Sequence, residues 1–289
     1  MSGVAVVTIA HGRHEHLAAQ HLGLASGTEL PDSYVVVAMD DPGITEHSVG
    51  SLHRTVVHHG PTAHGGLPLA AARNLGVRRA IEGGADVVVL LDVDCLPGAE
   101  LVAAYADVVG RRPESIWSGP VTYLPPPPPD GYPDDPRELE DWDDPHPARP
   151  MPDRGQHLDA TDPDLFWSLS FATHRATWER TGGFCEDYVG YGGEDTDFAR
   201  TAIAAGVGLG WIGDARAYHQ HHPVSSPPVE HLNDILRNGR IYAERWGQWP
   251  MAGWLQEFER LGLVRRVPHG WARTTASTIS TAATPAPPP

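Results

Sequence analysis

Two aspartates one residue apart, Asp92 and Asp94 in the segment LLDVDCLPG, offer the clearest chemistry in the sequence. They follow VVVLL, a continuous apolar run of strand length, and open α/β sheets gather their ligands outside the carboxyl ends of such strands. Period-two geometry predicts both carboxylates on one side of the strand end and Val93 on the other. Carboxylates held this close repel unless a proton or a cation lies between them. Mg²⁺ or Mn²⁺ accepts such oxygen ligands and commonly shares them with substrate phosphates. The plainer alternative is that one Asp caps the following helix and the other is solvated.

Three further groupings could act with this pair. Gly190-Tyr191-Gly192-Gly193-Glu194-Asp195-Thr196-Asp197 sets acids behind three glycines, on the first turn of an expected helix. Glycine lets backbone approach a ligand closely. A carboxylate placed there either deprotonates a hydroxyl or simply complements the helix dipole, and the spacing leaves both open. His219-Gln220-His221-His222 ends a strand-like segment and could supply a metal ligand, although the chain holds 17 histidines and most must be incidental. Arg73-Asn74 lies inside a predicted helix; its guanidinium suits phosphate or base recognition, or is an ordinary surface charge.

These residues need elements to position them. Val4–Ile9, Tyr34–Met39 and Asp86–Leu91 read as strands buried on both faces. Helical segments are expected over His14–Leu22, over Leu67–Glu82 with Gly83–Gly84 as its stop, and over Ala99–Val109 directly after Asp94. Strands alternating with helices predict an α/β domain with a mainly parallel sheet. From Leu124 to Asp164, five consecutive prolines lead into an Asp-, Glu- and Pro-rich stretch, expected as a long irregular excursion: an acceptor-binding lid or a disordered insertion. Order resumes with a strand-like run Phe166–Thr173, a helix Arg175–Thr181, a helix Glu194–Ala205, a strand Gly208–Ile212 and a helix Leu232–Trp246.

Composition narrows the function. A formal charge of −16 argues against a nucleic-acid binder or a protein held on anionic lipid by a basic patch. All 21 basic residues are Arg, so Schiff-base chemistry, a pyridoxal-phosphate anchor and a P-loop lysine are excluded. Arg-only usage with abundant Ala, Gly and Pro is also what a high-GC genome produces. Cys95 and Cys185 are too few for a disulfide framework or a zinc site. Neither a signal peptide nor a membrane-spanning run is read, so the expected location is cytoplasmic.

In order, VAVVTIA, YVVVAMDD, AARNLGVRRA, VVVLLDVDCLPG, WERTGGFCEDYVGYGGEDTDFARTAIAAG and the histidine of AYHQHH resemble the GT-A glycosyltransferases over residues 4–222. The resemblance is closest to the family-2 type and to the galactosyltransferase C-terminal motif with its GGED. It implies an α/β GT-A (Rossmann-like nucleotide-diphospho-sugar transferase) fold with a mainly parallel central sheet in residues 1–246. An extension at 247–273 would pack on that domain, and a tail at 274–289 would be disordered. It also implies a divalent metal, Mn²⁺ or Mg²⁺, on Asp94, Asp92 and His219 rather than His221 or His222. A nucleotide-sugar donor, with UDP favoured, would be held by Ala10, His11, Arg13, Asp40, Asp41, Arg73, Asp92, Val93 and Gly193. Asp195 would be the catalytic base and Glu194 would contact the acceptor, in an inverting transfer to a glycan, a peptide or a small natural product. Two departures bear on specificity: Cys185 stands where the family commonly has Asp or Asn, and AHGRHEH replaces the usual first-strand loop.

Two other readings compete. LLDVDCL also resembles the first motif of haloacid-dehalogenase-type phosphatases, but that motif normally lies on a first strand and works with a later Lys, which this chain lacks. A non-catalytic nucleotide-sugar binder would keep the fold without turnover, against which the presence of Asp195 beside Glu194 speaks.

Overall fold

Local sequence forms the elements much as its apolar pattern requires. In the computed structural model, which describes residues 3–62, 65–160, 162–223 and 225–274, the chain opens with β1 (Gly3–Ala10), α1 (His14–Ala25) and β2 (Ser33–Met39). A hairpin of β3 (His47–Val49) and β4 (Leu52–His59) leads through α2 (Leu69–Glu82) to β5 (Ala85–Leu91). Then come β6 (Cys95–Pro97), α3 (Leu101–Arg111), β7 (Ser115–Ser118), β8 (Val121–Tyr123) and β9 (His157–Ala160). The second half holds β10 (Ser170–His174), α4 (Arg175–Thr181), α5 (Glu194–Ala204), β11 (Gly208–Ile212) and β12 (Ala217–His219). It ends with α6 (Leu232–Trp246), α7 (Ala252–Arg260), β13 (Val264–Val267) and β14 (Gly270–Arg273). The expected tail lies, from residue 275 onward, outside the described residues.

Nine strands form one sheet in the order β3-β4-β2-β1-β5-β10-β7-β11-β9. β2, β1 and β5 run parallel, as predicted, β4 extends that parallel set beside β2 without a strand signal in its sequence, and β7 pairs parallel with β11. β10 enters antiparallel between β5 and β7, and β3 and β9 are antiparallel edges. The sheet is therefore mixed rather than mainly parallel. Successive residues of the central strands feed two cores: Val4, Val6, Val87 and Val89 face α1 and α3, while Ala5, Val7, Val88 and Leu90 face α2 and α5. That two-sided burial is what an uninterrupted β-branched run provides, each fully buried side chain contributing about 1.5–3 kcal/mol. Gly76 lets α2 lie close to β1, because a Cβ there would stand 2.4 Å from Val7 Cγ1.

The segment from Leu124 to Asp164 is not an unpacked excursion. Leu124 and Leu139 are buried with Leu96 and Tyr218, a short 3₁₀ turn spans Glu138–Trp142, and β9 closes the sheet edge against β11. The buried Arg149 guanidinium lies over the rings of Trp167 and Trp211. Residues 247–273 pack on α6 through Leu255, Phe258, Val264 and Trp271. Among the described residues no helix is long and apolar enough to cross a membrane.

Candidate active site

The aspartate pair does not continue β5 as an extended strand. β5 ends at Leu91; the Asp92 amide still donates to the Leu169 carbonyl at 2.9 Å, but the Cys95 amide donates to the Asp92 carbonyl at 2.9 Å, so Asp92-Val93-Asp94 is a turn. The two carboxylates consequently face different partners, which corrects the expectation of a shared side.

Asp94 faces histidines. β12 pairs antiparallel with β6 so that His219 lies opposite Cys95, one residue beyond Asp94. The Gln220 amide then donates to the Asp94 carbonyl at 2.7 Å and turns the following residues back. His219 Nε2 and His222 Nε2 reach Asp94 Oδ2 at 3.4 and 3.3 Å. One donor atom from each of Asp94, His219 and His222 lies within 4.8 Å of the others. Burial would raise the Asp94 pKa, but the hydrogen bonds and charge of the two imidazoles outweigh it and hold the carboxyl well below its ordinary range. Tyr123, opposite His219 in the β12–β8 pairing, stacks on its ring at 4.7 Å between centroids. His221 is not in this group, and its backbone amide donates to the Tyr132 hydroxyl at 3.0 Å. An oxygen and two imidazole nitrogens fit a first-row transition ion such as Mn²⁺ better than Mg²⁺, which prefers oxygen ligands throughout.

Asp92 belongs to a different cluster. Arg73, buried in α2 and covering the Phe184 ring at 5.3 Å, places its guanidinium 3.2 Å from Asp92, 3.6 Å from Glu194 and 3.7 Å from Asp195. One cation thus holds together the turn after β5 and the start of α5. Three carboxylates keep the Arg73 pKa above its ordinary value despite burial. Asn74 fastens the same helix to the glycine-rich loop, donating to the Phe184 carbonyl and accepting from the Phe184 amide, both at 2.9 Å. Asp195 Oδ2 accepts from the Ser168 amide at 3.0 Å, while Oδ1 has no hydrogen-bond donor among the described residues. Burial and the neighbouring Asp195 charge raise the Glu194 pKa. Asp197, in the same acidic run, is structural: buried, it accepts from Arg245, Trp246 and Tyr188 and ties α5 to α6.

A residue without any sequence motif fixes the turn. Gln20, fully buried in α1, donates to the carbonyls of Asp92 at 2.7 Å and Cys95 at 2.9 Å. Its own carbonyl accepts from the Thr8 and Tyr34 hydroxyls at 2.8 and 2.7 Å. All of the amide's hydrogen-bonding capacity is met, the condition under which a buried polar network stiffens what it touches.

Asp94 of the first cluster and Arg73, Asp92, Glu194 and Asp195 of the second line one cavity of about 860 Å³, of which His219 and His222 are not lining residues. Of the residues expected at the donor, His11, Arg13, Arg73, Asp92, Val93 and Gly193 line it. Ala10 lies in the core beneath, and Asp40 and Asp41 are not among the lining residues. Asp41 instead accepts from the amides of Gly12 at 2.8 Å and Gly43 at 2.9 Å and faces His14, bracing the loop after β1. A second cavity of about 250 Å³ beside α1 shares no lining residue with the first and contains no carboxylate. Among the described residues of the segment from Leu124 to Asp164, only the terminal Asp164 lines the large cavity, with Tyr123 just before the segment. A further stretch of the lining comes from Gln248–Trp254, for which the sequence carried no signal.

The charge of this site predicts a pH effect. Burial pushes the Asp92 carboxyl up to about 6, with Asp94 and Asp195 adding repulsion that Arg73 only partly offsets. A carboxyl raised on folding holds its proton more tightly in the folded chain, so its contribution is greatest near pH 4 and falls as pH rises through 6. Asp94, held low, acts only below its ordinary range, and His16 and His21, lowered by burial, act the opposite way. The histidines cancel when wild type is compared with Asp92→Asn. In metal-free buffer, wild type is expected to gain about 1–2 kcal/mol on the variant between pH 7 and pH 5 in denaturant titrations. A difference independent of pH would contradict this placement of Asp92.

Residues 163–223, which contain Glu194, Asp195, His219 and His222, match a family described as the N-terminal domain of galactosyltransferase. No curated protein sequence matches the chain. Among solved structures, residues 1–349 of Staphylococcus aureus TarS align with a TM-score of 0.53 at 14% identity, over 83% of this chain and 64% of that one. A longer TarS structure aligns at 0.51 and 12% identity, over 87% and 44%. GalNAc-T7, solved with UDP, GalNAc and Mn²⁺, aligns at 0.49 and 13% identity, over 90% and 57%. The chain therefore spans less than two thirds of each of these proteins. It has the GT-A glycosyltransferase fold.

Proposed function

We propose that the chain is a metal-dependent, inverting glycosyltransferase that moves a sugar from a nucleotide-diphosphate sugar, with UDP favoured, to an acceptor hydroxyl or other nucleophile. The observation that carries this reading is the meeting of two differently built carboxylate clusters in one cavity. Asp94, His219 and His222 present a cation-binding donor set, and Asp195, held by the Ser168 amide and 3.7 Å from Arg73, lines the same cavity as Asp94. Asp94, His219 and His222 would hold the ion; Asp92, turned to Arg73, is not in that set.

A divalent ion bound there would neutralise the negative charge that gathers on the departing diphosphate. The protein's own groups do the rest. Asp195 takes the proton of the acceptor nucleophile as that atom bonds to the anomeric carbon, and the bond from that carbon to the diphosphate oxygen breaks with its electron pair leaving on the diphosphate. One displacement inverts the anomeric centre. Arg73 keeps Asp195 and Asp92 in register, because moving either leaves a buried guanidinium short of a counter-charge. Gln20 holds the turn carrying both aspartates.

The phosphatase reading loses its geometric basis, since the Asp pair follows the fifth strand and no Lys is present. Incubating the protein with a panel of nucleotide sugars and Mn²⁺ tests the proposal through the product released. Nucleoside diphosphate is expected from at least one donor. Inorganic phosphate in its place, or binding with no release from any donor, would overturn it.

A further inference from the structure

One wall of the cavity differs from the rest in kind. Seven consecutive residues, Gln248 to Trp254, line it, and none carries charge. Tyr191, immediately before Gly192-Gly193-Glu194-Asp195, continues this wall: its ring stacks on His231 at 4.6 Å and lies 5.9 Å from Trp254 with 30° between planes. Aromatic side chains therefore line the same cavity as the carboxylate proposed to take the acceptor's proton.

Glycines fix the wall in place. The Trp249 ring occupies the space that a Cβ on Gly239 or on Gly270 would need, at 2.6 and 1.9 Å, and its Nε1 donates to the His269 carbonyl at 3.2 Å. Met251 holds a left-handed backbone at φ 54°, and its Sδ sits 3.0 Å from where a Gly192 Cβ would be. The wall and the glycine-rich loop are thus fitted to each other.

The lining cations lie elsewhere. Arg73 faces three carboxylates, and Arg13 stands at the start of α1, next to the loop after β1. Arg149 is sandwiched between Trp167 and Trp211 and does not line the cavity. An acceptor bearing phosphate or carboxylate would meet Asp195 and Glu194, whose cation Arg73 is already shared with Asp92, and Asp164, which Arg200 pairs at 3.0 Å. A flat ring with little charge meets surfaces that suit its face.

Resting on the transferase reading above, we propose that residues 248–254 with Tyr191 form the acceptor subsite, and that the acceptor is an uncharged molecule presenting a ring face, a neutral sugar or an aryl group, to Trp254 and Tyr191. The test pairs neutral acceptors with matched anions: methyl β-glucoside against methyl β-glucuronide, and 4-hydroxybenzamide against 4-hydroxybenzoate. Binding is read first without donor, by saturation-transfer NMR on the full chain, and transfer second, with the donor found in the nucleotide-sugar panel. At least one neutral member is expected to bind and to be used about tenfold better than its anionic partner; the glucoside arm assigns a sugar acceptor and the phenol arm an aryl one. Trp254→Ala is expected to raise the acceptor KM about tenfold, and Trp254→Phe to recover most of that loss. Equal or better binding of the anions, no binding of any neutral ring, or an unchanged KM in Trp254→Ala would overturn the proposal. Donors that stay uncleaved would defeat the transferase reading instead, and the binding arm would still decide the character of the wall.

Discussion

Asp94→Ala is expected to lower Mn²⁺-dependent release of nucleoside diphosphate by about 10³-fold or more, which corresponds to about 4 kcal/mol of lost transition-state stabilisation. The carboxylate is the hub of the donor set, with both imidazoles aimed at one of its oxygens. Without it, two uncharged nitrogens remain, a weak site for a hard divalent ion. His219→Ala is expected to come close to the same loss, because it removes a ligand and the ring on which Tyr123 stacks. His222→Ala is the discriminating variant. A rise of about tenfold or more in the Mn²⁺ needed for half-maximal rate would place His222 among the ligands, and an unchanged requirement would remove it. A fold-retaining Asp94→Ala with wild-type turnover would exclude the metal centre described here.

Asp195→Asn is expected to reduce transfer to an acceptor by about 10²–10⁴-fold, the span for loss of a positioned general base. The side chain keeps its shape, and its remaining carbonyl oxygen can still accept from the Ser168 amide. The lost charge leaves Arg73 with two carboxylates in place of three, so a modest loss of stability accompanies the loss of rate. Donor affinity, measured by titration with nucleoside diphosphate and Mn²⁺, is expected to stay within a few-fold of wild type. Transfer that survives the substitution would assign the base elsewhere, with the neighbouring Glu194 the first candidate.

How much of this was legible in the sequence follows from the reach of each interaction. The apolar runs that became β1, β2 and β5 declare themselves because burial on both faces leaves no polar interruption. β4 carries Arg54, His58 and His59 in LHRTVVHH and hides that signal. The strands β6, β8 and β12 are three residues long, too short to show a period, yet their register brings His219 beside Asp94. Nothing local separates His219, His221 and His222; the choice is made by the turn that the Gln220 amide closes on Asp94. Similarly, the sequence brings out Arg73 as a cation suited to the donor, whereas the fold turns it to Asp92, Glu194 and Asp195 across 19 and more residues of separation. The segment from Leu124 to Asp164 looked irregular because prolines and acids dominate it, but a few buried side chains, Leu124, Leu139 and Arg149, suffice to seat it. Gln20 and the Trp249–Trp254 wall carry no motif at all, and their roles exist only in three dimensions.

The central claim is that one cavity binds a divalent ion and a nucleoside diphosphate together through Asp94, His219 and His222. Isothermal titration of UDP into the protein, with and without Mn²⁺, tests it most directly. Binding that requires Mn²⁺ in wild type and is lost in Asp94→Ala is the predicted result. Binding of equal strength without the metal, or unaffected by loss of Asp94, would contradict the account.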